Sequence, residues 1–153
     1  MKSLLLFLLA AGFASTAGDP PAFHLWKAAE LQAFPRTLAP KLNASQMVSQ
    51  PLAAEHNYSF LALLRKTTGE VEVHETKADI FVIESGEATL IVGGTVEHAR
   101  TTQPNEIRGA SIVGGVEKKI AAGDVLTIPP KMPHQVKVEP GKEVAYLAIK
   151  VAQ

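Results

Sequence analysis

From residue 46 onward, short runs rich in Val, Ile, Leu, Thr and Tyr are broken every few residues by Gly, Pro or Asn. That punctuation limits the fold more than any other feature, because it leaves room for strands and almost none for long helices. Strands are expected at 47–50, 58–66, 70–74, 79–84, 88–92, 111–113, 116–120, 124–128, 134–139 and 143–151. Turn signals separate them at Thr68-Gly69, Ser85-Gly86, Gly93-Gly94, Gly114-Gly115, Gly123-Asp124 and Pro140-Gly141. Many short strands with regular turns specify a sandwich or a closed barrel. A parallel α/β fold would alternate strands with long helices, and that alternation is missing. The polar stretch 94–110 is expected to be an ordered loop at the rim, since long loops in compact domains are usually functional or disordered.

The chain before residue 46 reads differently. Lys2, the apolar run 4–11 and the small residues Ser15-Thr16-Ala17 form a secretory signal pattern, with cleavage expected near Ala17. The apolar run is too short for the roughly 20 residues of a membrane span, so no span is expected after cleavage. Asp19-Pro20-Pro21 starts the mature chain in an extended form. A helix is expected over 25–34, ending at Pro35, and a second helical turn over 36–42, interrupted by Pro40. The organisation is therefore a signal peptide at 1–17, a helical N-terminal arm at 18–45 and a β domain at 46–153, secreted or periplasmic.

Charge and cysteine content exclude several functions. The 15 basic and 15 acidic residues balance, which offers no basic surface for nucleic acid. The chain has no cysteine, which removes disulfides, thiolate metal sites and cysteine nucleophiles. No phosphate-cradling glycine loop or Gly-x-Ser-x-Gly nucleophile elbow is present.

Two histidines stand out as candidates for chemistry. Residues two apart on a strand share a face. His134 therefore points with Val136 and Val138 toward the interior, either as a buried neutral imidazole or as a ligand. On the strand 70–74, Glu72 and His74 share one face and Val71 and Val73 the other. Either the valines face the core and the polar pair faces water, or the polar pair faces inward. The second case needs a cover for the valines, which the N-terminal helix or a partner subunit would supply. His98, Glu106 and Arg108 lie in or beside the stretch 94–110 and can line a pocket mouth. Arg108 there can hold a substrate carboxylate through two parallel hydrogen bonds. His24 and His56 are isolated, and Tyr58, Phe60 and Tyr146 read as core or interface residues.

The segment Gly123-Asp-Val-Leu-Thr-Ile-Pro129-Pro-Lys131-Met-Pro-His134 resembles the second motif of the cupin superfamily, Gly-x5-Pro-x-Gly-x2-His-x3-Asn. Lys131 stands where glycine is usual and Val138 where asparagine is common. The first cupin motif, Gly-x5-His-x-His-x3–4-Glu-x6-Gly, is degenerate here. Asp79 takes the place of its glutamate, counted from Gly86, with His74 as the second histidine and Glu72 as the first. A second register, with His74 and Thr76 as the pair, leaves too few residues before Asp79. The resemblance covers about residues 58–150.

The resemblance implies an all-β fold, the double-stranded β-helix barrel, preceded here by a short helical arm. It also implies a divalent metal site of His74, Asp79 and His134, with Glu72 as fourth ligand or general base. Iron, manganese, zinc and nickel suit imidazole and carboxylate donors. A small-molecule substrate is implied, with Arg108 and Glu106 as substrate contacts and an oxygenase, isomerase or lyase as the reaction class. The alternative is a barrel without catalysis, binding a small ligand or serving a structural role. Many cupins pair through their sheets, so a homodimer is expected, with Val71 and Val73 as exposed contact residues.

Overall fold

The computed structural model describes residues 19–153, so the signal segment 1–17 lies outside the described residues. Helix α1 spans Ala28–Leu38 and runs into a 3-10 turn at Ala39–Lys41. The strands follow in order: β1 Met47–Ala54, β2 Tyr58–Arg65, β3 Val71–His74, β4 Lys77–Val92, β5 Thr95–Glu97 and β6 Arg100–Gln103. After them come β7 Glu106–Gly109, β8 Ser111–Val113, β9 Val116–Ala121, β10 Val125–Ile128, β11 His134–Lys137 and β12 Val144–Ala152. Among the described residues no helix is long and apolar enough to cross a membrane.

β4 builds the barrel. Its first part pairs with β12 and β10, its second with β11 and β9, so it belongs to both walls. One wall continues from β12 through β2 to β1, and the other from β11 through β3 and β7 to β6. Among the described residues these strands pair antiparallel throughout.

The sequence suggested two strands with a turn at Ser85-Gly86, but β4 is continuous through that point. Its register against β12 shifts between Ala145 and Tyr146, which sit opposite Ser85 and Ile83. Glu84 is the extra residue of a β-bulge, which bends a strand without ending it. Gly86 follows with φ +75°, and a Cβ there would strike the Glu143 carbonyl oxygen. The bulge also changes which residues face inward. Phe81 and Ile83 join the interior before it, Ala88 and Leu90 after it.

Strand alternation places two cores on opposite sides of one wall. Leu63, Tyr146 and Ala148 enter the barrel interior with Phe81, Leu90, Val136 and Val138. The neighbouring Ala62, Leu64, Ala145 and Leu147 form a second cluster with Leu38, packed against Leu31 and Phe34 of α1. Those helix residues recur at helical spacing and give α1 one apolar stripe. Each leucine fully buried this way contributes about 1.5–3 kcal/mol.

That stripe explains why the helix does not end at Pro35. Proline removes one hydrogen bond within the helix, but Phe34 and Leu38 on either side stay docked on the second cluster. The helix start is fixed by Glu30, whose carboxylate accepts the Lys27 backbone N–H at 2.7 Å, satisfying an otherwise unpaired donor.

Two other expectations are corrected. The stretch 94–110 is not a loop but contains β5, β6 and β7, with β7 paired to both β3 and β6. Val71 and Val73 are 0% and 6% exposed. Val71 lies opposite Gly109 of β7, and the Val96 side chain packs over that glycine. The chain buries these valines itself, so they are not exposed contact residues for a dimer. α1 packs against β2 and β4 instead.

Candidate metal centre

Strand pairing sets the site's plan. Glu72 and His74 face inward from β3, and His134 of β11 lies directly opposite Glu72. On the other side of β3, β7 sets Arg108 opposite Glu72 and Glu106 opposite His74. β12 sets Lys150 opposite Asp79 of β4. Side chains directly opposite on antiparallel strands lie close enough to interact, so register assembles each set, and closure of the barrel brings Asp79 and Lys150 to His74.

His74 and His134 are each 3% exposed and Asp79 is 1% exposed. The histidine rings lie 5.3 Å apart, tilted by 56°. One ligand atom each from Glu72, His74 and His134 lies within 4.8 Å of the others. Asp79 Oδ2 is 3.1 Å from His74 Nε2 and 3.5 Å from His134 Nε2.

Both imidazoles are tied by Nδ1. His74 Nδ1 lies 2.6 Å from Glu106 Oε2, and His134 Nδ1 lies 3.1 Å from the Met132 carbonyl oxygen. Each acceptor requires Nδ1 to carry the proton, so in the neutral tautomer Nε2 keeps its lone pair. Both lone pairs point into the site. His134 Nε2 is buried without a hydrogen-bond partner, and native proteins seldom leave such an atom unsatisfied. Histidines fixed through Nδ1 by a carboxylate or carbonyl ligate metals through Nε2; here that of His134 is unbonded, while that of His74 meets Lys150 Nζ at 2.7 Å. The residues therefore fit a divalent ion.

Charges around the site are paired. Glu72 receives Arg65 Nη2 at 3.2 Å and Arg108 Nη2 at 3.4 Å. Arg108 Nη1 also donates to Glu106 at 3.1 Å, and Arg65 Nε donates to the Tyr146 hydroxyl at 2.9 Å. Burial acts to raise the Glu72 carboxyl, but Arg108, Arg65 and Lys150 together hold it below the usual carboxylate range. Asp79 behaves alike: burial opposes its charge, yet the Lys150 ammonium, bonded to both carboxylate oxygens, holds it well below that range. Both acids are therefore anionic donors at neutral pH.

Two clefts reach the His74 and Asp79 side of the site. One of about 340 Å³ is bordered by His74, Asn105, Glu106, Arg108 and Lys150. Another of about 240 Å³ is bordered by Leu63, Arg65, Glu72, Asp79, Tyr146 and Lys150. A wider groove of about 500 Å³, lined by Phe23, Trp26, Tyr58 and Phe60, lies elsewhere, between the arm and β2.

The structure thus brings Glu72, His74, Asp79 and His134 together. Glu106 and Arg108, expected as substrate contacts, also border a cleft, but Glu106 orients His74 and Arg108 bridges Glu106 to Glu72. His98 is exposed in the turn after β5, with φ +53°, and borders neither cleft. His24 stacks on Trp26 and contacts Glu55, and His56 is exposed. Sequence reasoning missed Arg65 and Lys150. Inward alternation of 144, 146, 148 and 150 on β12 was the available signal for Lys150. It was masked because the outward residues of that strand are also apolar.

Lys131 adds a link between the histidine-bearing segments. It adopts φ +67°, the left-handed conformation suited to the glycine usual at that motif position. Its N–H donates to the His74 carbonyl oxygen at 2.8 Å, tying the turn before β11 to the end of β3.

No family model matches the sequence, and no curated relative matches it. Solved structures do. An uncharacterised conserved protein of Klebsiella pneumoniae with a double-stranded β-helix domain aligns with TM-score 0.54 and 12% identity, over 72% of this chain and 80% of its own. A cupin-2 domain protein of Rhodospirillum rubrum aligns with TM-score 0.52 and 16% identity, over 71% and 61%. A polyketide cyclase of Streptomyces resistomycificus aligns with TM-score 0.50 and 13% identity, over 71% and 66%. At these identities the likeness shows the fold: the chain is a double-stranded β-helix barrel of the cupin type, preceded by one short helix.

Proposed function

We propose that this protein is an exported metallo-cupin whose barrel holds a divalent ion through Glu72, His74 and His134 and presents it to a small molecule. The observation that carries this reading is the partnerless, buried Nε2 of His134, directed at the same space as His74 Nε2 and Glu72. A barrel with a vestigial pocket has no physical reason to bury an unsatisfied imidazole nitrogen. Export rests on the signal pattern at 1–17, and the small-molecule partner on the two clefts that meet the site.

When bound, such an ion supplies Lewis acidity or a place for dioxygen, consistent with an isomerase, lyase or oxygenase. The chain's own residues do the rest. Glu106 and the Met132 carbonyl keep both imidazoles in the ligating tautomer. Arg65 and Arg108 keep Glu72 anionic and fix its orientation. The likeness to a polyketide cyclase is one of fold; this fold carries many reactions and the site decides which.

Elemental analysis of the purified mature protein, beside a His74→Ala/His134→Ala double variant of intact fold, tests the reading. Stoichiometric iron, manganese, zinc or nickel that disappears in the variant is the expected result. Absence of metal after reconstitution would sink it and leave a ligand-binding barrel without catalysis.

A further inference from the structure

We infer that Lys150 is a built-in cation that competes with the metal, so that an ion enters only when the Lys150 ammonium gives up His74. The inference rests on the metal reading above and adds a control on the same site.

The contacts of the ammonium carry the argument. Lys150 Nζ lies 2.7 Å from His74 Nε2 and 2.9 and 3.0 Å from Asp79 Oδ1 and Oδ2. An ammonium has three N–H donors and no acceptor. One donor reaches His74 and the others reach the two oxygens of Asp79, so its bonding capacity is used within the site. His74 Nε2 offers a single lone pair, since Nδ1 is committed to Glu106. That lone pair can serve the ammonium or an ion, not both.

Charge points the same way. Glu72, Asp79 and Glu106 face Arg65, Arg108 and Lys150, and with neutral histidines the group is balanced without a metal. An incoming divalent ion would place two further positive charges beside the ammonium, inside a poorly solvated pocket where repulsion is only partly screened. Withdrawal of Lys150 relieves that repulsion and frees both His74 and Asp79. A route exists, because the Lys150 side chain is 18% exposed and borders both clefts.

Metal-stripped mature protein, titrated calorimetrically with Zn²⁺ and with Mn²⁺ at one fixed pH, tests this. Lys150→Met removes the charge and keeps most of the volume, and is expected to bind at least tenfold more tightly than wild type. Lys150→Arg keeps the charge and is expected to bind no more tightly than wild type. Adding His134→Ala to Lys150→Met should abolish the gain. If Lys150→Met does not fold, Lys150→Gln carries the same expectation. Equal or weaker binding by the neutral variants, with wild type binding normally, would overturn the role of Lys150 and leave the metal site standing. Binding by neither wild type nor the neutral variants would overturn both.

Discussion

The barrel interior has two portions built from the same strands and stabilised in opposite ways. β4 contributes Asp79 to one and Ile83 and Leu90 to the other; β11 contributes His134 and then Val136; β12 contributes Lys150 and then Val144. In the apolar portion each side chain stabilises by the surface it removes from water, and the contributions are local. In the charged portion burial is unfavourable for each group alone and tolerable only with its partner. A strand can switch from one regime to the other within two turns of its alternation. What differs is the consequence of losing one side chain.

The largest effect is expected from separating Lys150 and Asp79. In metal-free protein, Lys150→Met leaves the nearly inaccessible Asp79 carboxylate without its cation, at a cost of about 3–5 kcal/mol. Asp79→Leu alone should cost less, because the ammonium can turn toward the cleft. The double change, Asp79→Leu with Lys150→Met, should recover most of the loss, since an apolar pair of suitable volume can replace a buried ion pair. Urea unfolding of the four proteins as a double-mutant cycle measures the coupling. Additive losses would erase the distinction between the two portions.

Next in size is Ile83→Ala in the apolar portion, where Ile83 is among the fully buried side chains. It should cost about 3 kcal/mol, from lost transfer energy and the cavity left behind. No single partner substitution at the charged portion should rescue it. Recovery on removing Lys150 would show that the two portions are one coupled core.

The apolar portion was largely legible in the sequence because period-two patterning reports directly on it. His134, Val136 and Val138 were placed inward on alternation alone, and β2, β11 and β12 lie close to their expected positions. Glu72, His74 and Asp79 were proposed as a group through motif spacing, and the barrel brings them together from β3 and β4. The bulge at Glu84 was hidden because Ser85-Gly86 has the composition of a turn, and only pairing with β12 shows that the strand continues. β5 to β7 were hidden because polar strands, exposed in β5 and β6 and half-buried in β7, lose the apolar alternation that marks strands. Lys150 was hidden for another reason: Asp79 and His74, which give it meaning, are 71 and 76 residues away in sequence.

A smaller effect tests how the motif turn holds the charged portion. Lys131 pays the steric cost of a left-handed backbone that glycine avoids. Lys131→Gly should raise stability by about 0.5–1 kcal/mol, after allowing for the greater freedom of glycine in the unfolded chain. Its N–H bond to the His74 carbonyl is retained, so metal affinity should not fall. Thermal unfolding with and without Zn²⁺ separates the two effects. A drop in affinity would show that the Lys131 side chain itself, not the turn, supports the site.

The smallest expected effect lies where the two portions meet, at Tyr146. Its ring packs on Phe81 at 4.8 Å, while its hydroxyl accepts from Arg65. Burial pushes the phenol above its ordinary value; Arg65 opposes this, and Glu72 and Asp79 add to it. A folded-state value above the unfolded one means that the native protein holds its proton more tightly. The contribution is present below about pH 10, the ordinary phenol value, and is lost as pH rises through the higher folded value. Tyrosinate absorbance in a Tyr58→Phe variant reports Tyr146 alone, since the chain has 2 tyrosines. The phenol should stay neutral above about pH 10, ionising late or only as the protein unfolds. Arg65→Met removes the one opposing cation and should move ionisation higher still, because burial and the two carboxylates then act unopposed. Earlier ionisation in Arg65→Met would mean that water enters the interior there, and that the charged portion, not the apolar one, keeps Tyr146 dry.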